Sequence, residues 1–361
     1  MNGLLFLAGI VLLVVGADLL VRGASRLSLS IGLSPLIVGL TVVSFGTSTP
    51  ELAVSLKAAF AGTTEMAFGN VVGSNICNVL LILGLAALAA PLGIAPAVLR
   101  RDLPVLLALS LLTALLASDG RLGAVDGLVL LAGGIAHAVL SFRQERRGPG
   151  ANAEKTAGPA PRHGRLLAAL SILAGLALLV VGADLLVGAA VRFARAAGVS
   201  DLVVGLTVVA VGTSLPEIAA SVLASLRGER DIAVGNVVGS NILNLAVVLA
   251  LTAIVAPGGV AVPADALRFD TPVMIGAAFL CLPVFLRDRR VSRVEGFLFV
   301  LLYALYTTWL ALKAQESPHL AHLQALVLFV VLPTVAVALL VWSARALRRR
   351  HLARLPGPAG T

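Results

Sequence analysis

Two glutamates stand inside apolar stretches, each closing a near-identical string: Glu51 ends GTSTPE at 46–51 and Glu217 ends GTSLPE at 212–217. An ionised carboxylate in hydrocarbon is costly, so an acid in such a setting is a functional candidate by default. Thr47 and Thr213 precede the Glu by four residues and Ser48 and Ser214 by three, which on a helix puts hydroxyls and carboxylate on one face. Pro50 and Pro216 cannot donate to the carbonyl four residues back, so Gly46 and Gly212 keep free carbonyls and a kink is predicted there. Ser44 and Ala210, one turn before the threonines, can add further carbonyls. A second string, GNVVGSNICN at 69–78 and GNVVGSNILN at 235–244, places Ser74 with Asn78 and Ser240 with Asn244 at i and i+4. That face is oxygen-rich too. Asn70, Asn75, Asn236 and Asn241 are expected to bind helix backbones, and Gly69, Gly73, Gly235 and Gly239 to permit close helix approach.

Two negative charges ringed by neutral oxygens suit a hard cation. Calcium takes about six to eight oxygens at roughly 2.3–2.6 Å, whereas soft metals call for thiolate or imidazole. No thiol or imidazole is repeated here: His137, His163, His319, His322 and His351 all lie outside both motifs. Two carboxylates neutralise one divalent or two monovalent ions, so calcium and sodium are expected to compete for overlapping sites. The carboxyls have no base within either motif to pair with. Asp18 and Asp184, also duplicated, fall near helix ends where water or Arg22 can reach them, which fits a structural or gating place better than a ligand.

Elements able to hold such a centre follow from composition. Of 361 residues 59% are apolar and 12% charged, and the mean hydropathy is +1.02, which excludes an ordinary soluble globule. A span needs about 20 mostly apolar residues. Helices are placed near 3–22, 34–60, 66–90, 103–117, 123–142, 165–190, 201–226, 231–256, 270–286, 294–313 and 322–344. The net charge of +9 does not make a nucleic-acid binder, because the bases sit between apolar spans and not on one wettable face. Leu4 to Leu20 lacks a basic flank before Arg22, so it is read as a retained first helix and not as a signal peptide. Cys77 and Cys281, inside apolar segments, are expected to be small packing residues.

The chain repeats. A constant 166 residues separates Gly16 from Gly182, Glu51 from Glu217 and Asn78 from Asn244, with VVGADLLV at 14 and 180 and GLTVV at 39 and 205 also shared. The polar stretch 143–164, mixing Gly, Pro, Ala and charge, reads as a linker between a first repeat at 1–142 and a second at 165–313, with an extra helix and basic tail at 314–361. Five expected crossings lie between paired positions, so the two copies are predicted to be inverted. With the amino terminus outside, 21 of the 27 Lys and Arg residues fall in cytoplasmic loops, which favours an eleventh helix. The expected fold is an all-α polytopic membrane protein of two inverted five-helix repeats, ten core helices in all, plus that eleventh C-terminal helix. Membrane lipid is the expected surrounding; the oligomeric state is not readable.

With its paired GTSxPE and GNxxGSNI motifs, residues 1 to about 313 resemble the cation/calcium exchanger superfamily, specifically its bacterial and archaeal sodium/calcium antiporters. The resemblance implies ten core helices, with the first and sixth sliding against a bundle that holds the ions in a cell (inner) membrane. It implies a liganding set of Glu51, Glu217, Thr47, Ser48, Thr213, Ser214, Ser74, Ser240, Asn78 and Asn244, with Ser44 and Ala210 as backbone-carbonyl donors. It implies no cofactor beyond the transported calcium and sodium ions, and no enzymatic reaction. Asn244 departs from relatives that carry Asp there, which argues against potassium coupling. A proton-coupled calcium/cation antiporter is the alternative within this class, and a cation channel the alternative outside it.

Overall fold

The computed structural model describes residues 2–147, 162–196, 210–327, 329 and 333. Most of the linker, the segment 197–209 and most of the expected eleventh helix lie outside the described residues. What is described is helical: α1 (Asn2–Ile31), α2 (Pro35–Thr47), α3 (Thr49–Phe60), α4 (Thr64–Ala89), α5 (Val98–Asp119), α6 (Ala124–Arg147), α7 (Arg162–Ala196), α8 (Leu215–Leu226), α9 (Arg230–Val255), α10 (Ala266–Asp288), α11 (Arg293–Ala314) and α12 (Leu320–Leu326). Eight of these are long and apolar enough to cross a membrane, and the pair α2 and α3, bent by 43° at Ser48, makes a ninth span. The expected span at 34–60 is therefore a broken helix, as Gly46 and Pro50 required.

The two halves echo each other. Helices α3 and α8 have the same twelve-residue length and begin 166 residues apart. Helices α4 and α9 both loosen into a π-helical turn at the second motif, over Cys77–Ile82 and Asn244–Leu249. Four two-residue strands, which hydropathy does not reveal, occur in the turns: β1 (Leu92–Gly93), β2 (Arg121–Leu122), β3 (Val260–Ala261) and β4 (Arg290–Val291). They pair antiparallel as β1 with β4 and β2 with β3. Strand β1 follows α4 as β3 follows α9, and β2 follows α5 as β4 follows α10. Each ladder therefore joins one half to the other, and the repeat exchanges the two ladders.

A second tie recurs at the fourth and fifth spans of each half. Asp102, fully buried at the start of α5, accepts from Arg101 (2.6 and 3.1 Å) and bonds His137 on α6 (2.8 Å). At the matching place, Asp270 accepts from Tyr306 on α11 (2.9 Å). A buried carboxylate needs such partners to be tolerated.

Helices α1 and α7 are longer than expected and pack antiparallel along a seam of glycines. A Cβ on Gly9, Gly16, Gly175 or Gly182 would lie 2.6–2.9 Å from main-chain atoms of the facing helix. Spaced seven residues apart, these glycines let the two backbones touch over much of their length, the usual role of small residues between membrane helices. Gly235 and Gly239 do the same for α9 against α2: a Cβ on Gly235 would stand 2.7 Å from the Leu36 carbonyl oxygen, and one on Gly239 2.6 Å from that of Leu40. The repeat counterparts of Leu36 and Leu40, Leu202 and Leu206, lie outside the described residues.

Main-chain atoms cannot yield as a flexible side chain can. Gly175→Ala should therefore separate α1 from α7 and cost roughly 1–3 kcal/mol, the ordinary penalty of overpacking. The check is thermal unfolding of the purified protein in detergent, where the variant should melt several degrees lower; an unchanged curve would refute the seam.

Candidate cation site

The centre is built from the helix breaks. Ser48 has φ −81° and ψ 6°, and Ser214 has φ −88° and ψ 6°, so both motifs leave helical geometry at the same residue and in the same way. Pro50 and Pro216 follow in the first turn of α3 and α8, where a missing N–H costs no intrahelical bond. One residue later the chain delivers Glu51 and Glu217, each 1% exposed.

Their hydroxyl partners are crossed. Ser214 Oγ donates to Glu51 Oε1 and Ser48 Oγ to Glu217 Oε1, both at 3.2 Å. Helical spacing predicts each serine beside the glutamate of its own motif. Because Ser48 and Ser214 sit at the break and out of helical register, each reaches instead to the glutamate of the other half. The ion pairs between described residues lie elsewhere, at Asp18, Asp102, Asp265, Asp288 and Glu295.

The remaining oxygens show what the arrangement can accept. Seven buried side-chain polar atoms among the described residues have no hydrogen-bond partner, and five are Glu51 Oε2, Glu217 Oε2, Asn78 Oδ1, Asn244 Oδ1 and Ser240 Oγ. All five belong to the set expected from sequence. A buried polar atom without a partner costs about 1–3 kcal/mol, more when charged. Five together are a debt that a cation at the centre would offset. Among the described residues no cluster of three or more His, Cys, Asp and Glu side chains could hold a metal. The donor set is two carboxylates with amides and hydroxyls, the chemistry of hard ions.

Other predicted residues serve the frame. Asn70 donates to the Glu51 carbonyl (3.2 Å) and to Ser55 (3.0 Å), fixing α4 against α3. Its counterpart Asn236 donates to Ser221 (2.9 Å) and accepts from Thr47 Oγ1 (3.1 Å), so it bonds side chains and not the backbone. Asn75 and Asn241 donate to the carbonyls of Asn241 (3.3 Å) and Val237 (2.8 Å). Ser44 Oγ donates to the carbonyls of Gly39 (2.7 Å) and Asn236 (3.0 Å). The Ser44 carbonyl, expected to be free, accepts the Ser48 N–H at 2.9 Å, because the helix continues to Thr47 before it breaks. Thr47 Oγ1 also approaches that carbonyl at 3.4 Å, so its second lone pair is open to an ion only where Thr47 gives its proton to Asn236 instead. Ser74 is buried and Thr213 half-buried, and Ala210 opens the short turn Ala210–Gly212. An apolar crevice lined by Phe45, Thr49, Leu52 and Leu243 reaches Ser48.

Sequence reasoning misses the crossed serine bonds and the glycine seam. The first carries no linear signal, whereas the seven-residue recurrence of glycine in both copies does mark the second. Asp18 is held by Arg22 (2.9 Å), as expected, and also by Arg227 from the turn after α8.

Known proteins resemble this chain in sequence and in fold. The family model for "sodium/calcium exchanger protein" matches residues 1–142 and 167–312. The chain is 40% identical over 306 residues to the putative antiporter CaxA of Alkalimonas amylolytica, covering 83% of this chain and 95% of that protein. It is 38% identical over 324 residues to the inner membrane protein YrbG of Escherichia coli K12, covering 88% and 98%. The structure of the sodium-calcium exchanger NCX_Mj soaked with zero Na+ and Ca2+ superposes with a TM-score of 0.73 at 29% identity, over 86% of this chain and 98% of that one. The match takes in both motif pairs and both halves: the chain belongs to the sodium/calcium exchanger protein family and is a multi-pass cation/calcium antiporter.

Proposed function

We propose that the protein exchanges sodium for calcium by alternating access, with the ions held at mid-membrane between Glu51, Glu217, Asn78 and Asn244. Thr47, Ser48, Thr213, Ser214, Ser74 and Ser240 complete the shell, with the carbonyls of Ser44 and Ala210 at its edge. The observation that carries this reading is the set of five buried, unpartnered oxygens drawn from both halves. Two carboxylates match one calcium or two sodium ions in charge, so one centre can serve both in turn, and an empty pair of buried carboxylates resists occlusion. The inverted repeat supplies two related arrangements of one site, the usual basis of alternating access. NCX_Mj, whose structures concern ion exchange and binding-site occlusion, is the solved relative in support.

Calcium uptake into proteoliposomes driven by an outward sodium gradient tests the reading. Glu51→Gln and Glu217→Gln each remove a buried charge that the ion must meet, a loss of roughly 3–5 kcal/mol in such settings. Exchange should fall by about two to three orders of magnitude while the variants still purify as folded protein. Full activity in either variant would remove the site. Flux that follows a proton gradient and ignores sodium would identify the proton-coupled alternative, and calcium current without counter-ion exchange the channel.

The same proposal places the amino terminus outside, and the linker 143–164 and the basic tail in the cytoplasm, of a cell inner membrane. The asymmetry of basic residues supports this. Cys77 and Cys281 are buried, so the natural chain should resist a membrane-impermeant thiol reagent. Ser317→Cys should be labelled from outside in intact cells and Ala157→Cys only after the membrane is opened; the reverse pattern would invert the topology.

A further inference from the structure

An asparagine is an ambiguous cation ligand. Its carbonyl oxygen attracts an ion and its NH2 repels it, and the two ends are nearly the same size. A carboxylate has no wrong end. Where Asn stands in a cation site, something must accept its NH2 and hold the oxygen inward.

At Asn244 that acceptor is visible. Asn244 Nδ2 donates to Asn75 Oδ1 at 3.1 Å, and Asn244 Oδ1 is left buried with no partner. Asn75 is fixed in its turn: its own Nδ2 donates to the Asn241 carbonyl at 3.3 Å and lies 3.7 Å from Met274 Sδ. Reversing the Asn75 amide would set NH2 against NH2 at Asn244 and oxygen against oxygen at Asn241. Both asparagines are buried, so water does not relieve either clash. The acceptor comes from α4 and the ligand from α9, one from each half.

The repeat counterpart of this bond would join Asn78 to Asn241, and among the described residues no such bond is made. Asn241 Nδ2 turns instead to Val237 in its own helix. The orienting contact is thus specific to position 244.

We propose that Asn75 is a positioning residue for cation binding, holding Asn244 carbonyl-inward, and that this role exists because residue 244 is an amide and not a carboxylate. The proposal rests on Asn244 being a ligand. It predicts energetic coupling between positions 75 and 244 that a purely structural Asn75 would not show.

Radioactive calcium binding to the purified full chain in detergent tests it, comparing Asn75→Ala with and without Asn244→Asp. In the natural background Asn75→Ala should weaken calcium binding about tenfold, the usual scale for coupled neighbours. In the Asn244→Asp background, where no orientation is needed, the same change should cost less than about twofold to threefold. An equal loss in both backgrounds, or no loss in the first, overturns the proposal. If Asn75→Ala does not fold, Asn75→Ser withdraws the acceptor while keeping a polar group, and the same comparison decides. Glu51→Gln in parallel separates the two levels: if it abolishes binding while positions 75 and 244 do not couple, the site reading stands and only the proposal fails. If Glu51→Gln leaves binding intact, both fall.

Discussion

Two carboxylates buried in an apolar bundle, with no base paired to either among the described residues, are the constraint on which the rest of the structure depends. Either charge alone in such a place is prohibitive, and the two repel. Such a pair needs hydrogen-bond donors to its oxygens, and a proton or a cation to offset the charge that remains. The donors are present, with Ser214 and Ser48 donating to Oε1, while both Oε2 atoms have no partner among the described residues. The broken helices follow from this. A continuous helix across Ser48 would keep its hydroxyl beside its own glutamate and leave the other glutamate without a donor.

Crossed donation also makes each half depend on the other. Each glutamate depends on a serine 163 or 169 residues away in the chain, and Asn244 depends on Asn75. The ladders β1 with β4 and β2 with β3 fix the halves at their rims, and the glycines of α2, α9, α1 and α7 bring backbones close enough for short polar side chains to reach across. Serine and asparagine have little reach, so a centre made of them demands close packing around it. Packing and chemistry are one requirement here.

Much of this is legible in the amino-acid sequence. Hydropathy locates the spans because lipid imposes length and apolarity together. The offset of 166 residues identifies both motifs, and with them five of the seven unpartnered oxygens among the described residues. Geometry that depends on the meeting of distant residues is not legible. Helical spacing assigns Ser48 to Glu51, and only the fold shows it serving Glu217. Pro50 removes a donor, but it frees only the carbonyl four residues before it, that of Gly46, and Ser48 still supplies its N–H to the Ser44 carbonyl. Helix α1 runs on past Arg22 and Arg26 to Ile31, since a helix does not end where its apolar stretch does.

The two halves agree closely at the helix breaks and differ at the Asn75–Asn244 contact and toward the rims. At the centre the torsions of Ser48 and Ser214 agree closely and their bonds have equal length. Toward the rims the same framework carries different chemistry. Asp102 is held by His137 and Arg101, while Asp270 is held by Tyr306. Arg227 pairs with Asp18 and Ser25 donates to Glu229 at 2.7 Å, yet the corresponding positions of the first half are Ala61 and Thr63, and Val191 stands where Ser25 would be. That polar contact therefore has no equivalent at Asp184. Two arrangements that merely exchanged the roles of the halves would have equal energy only if such contacts were duplicated. Because they are not, the rims make the two ends of the molecule inequivalent, although both halves present the same helix break and the same crossed serine bond.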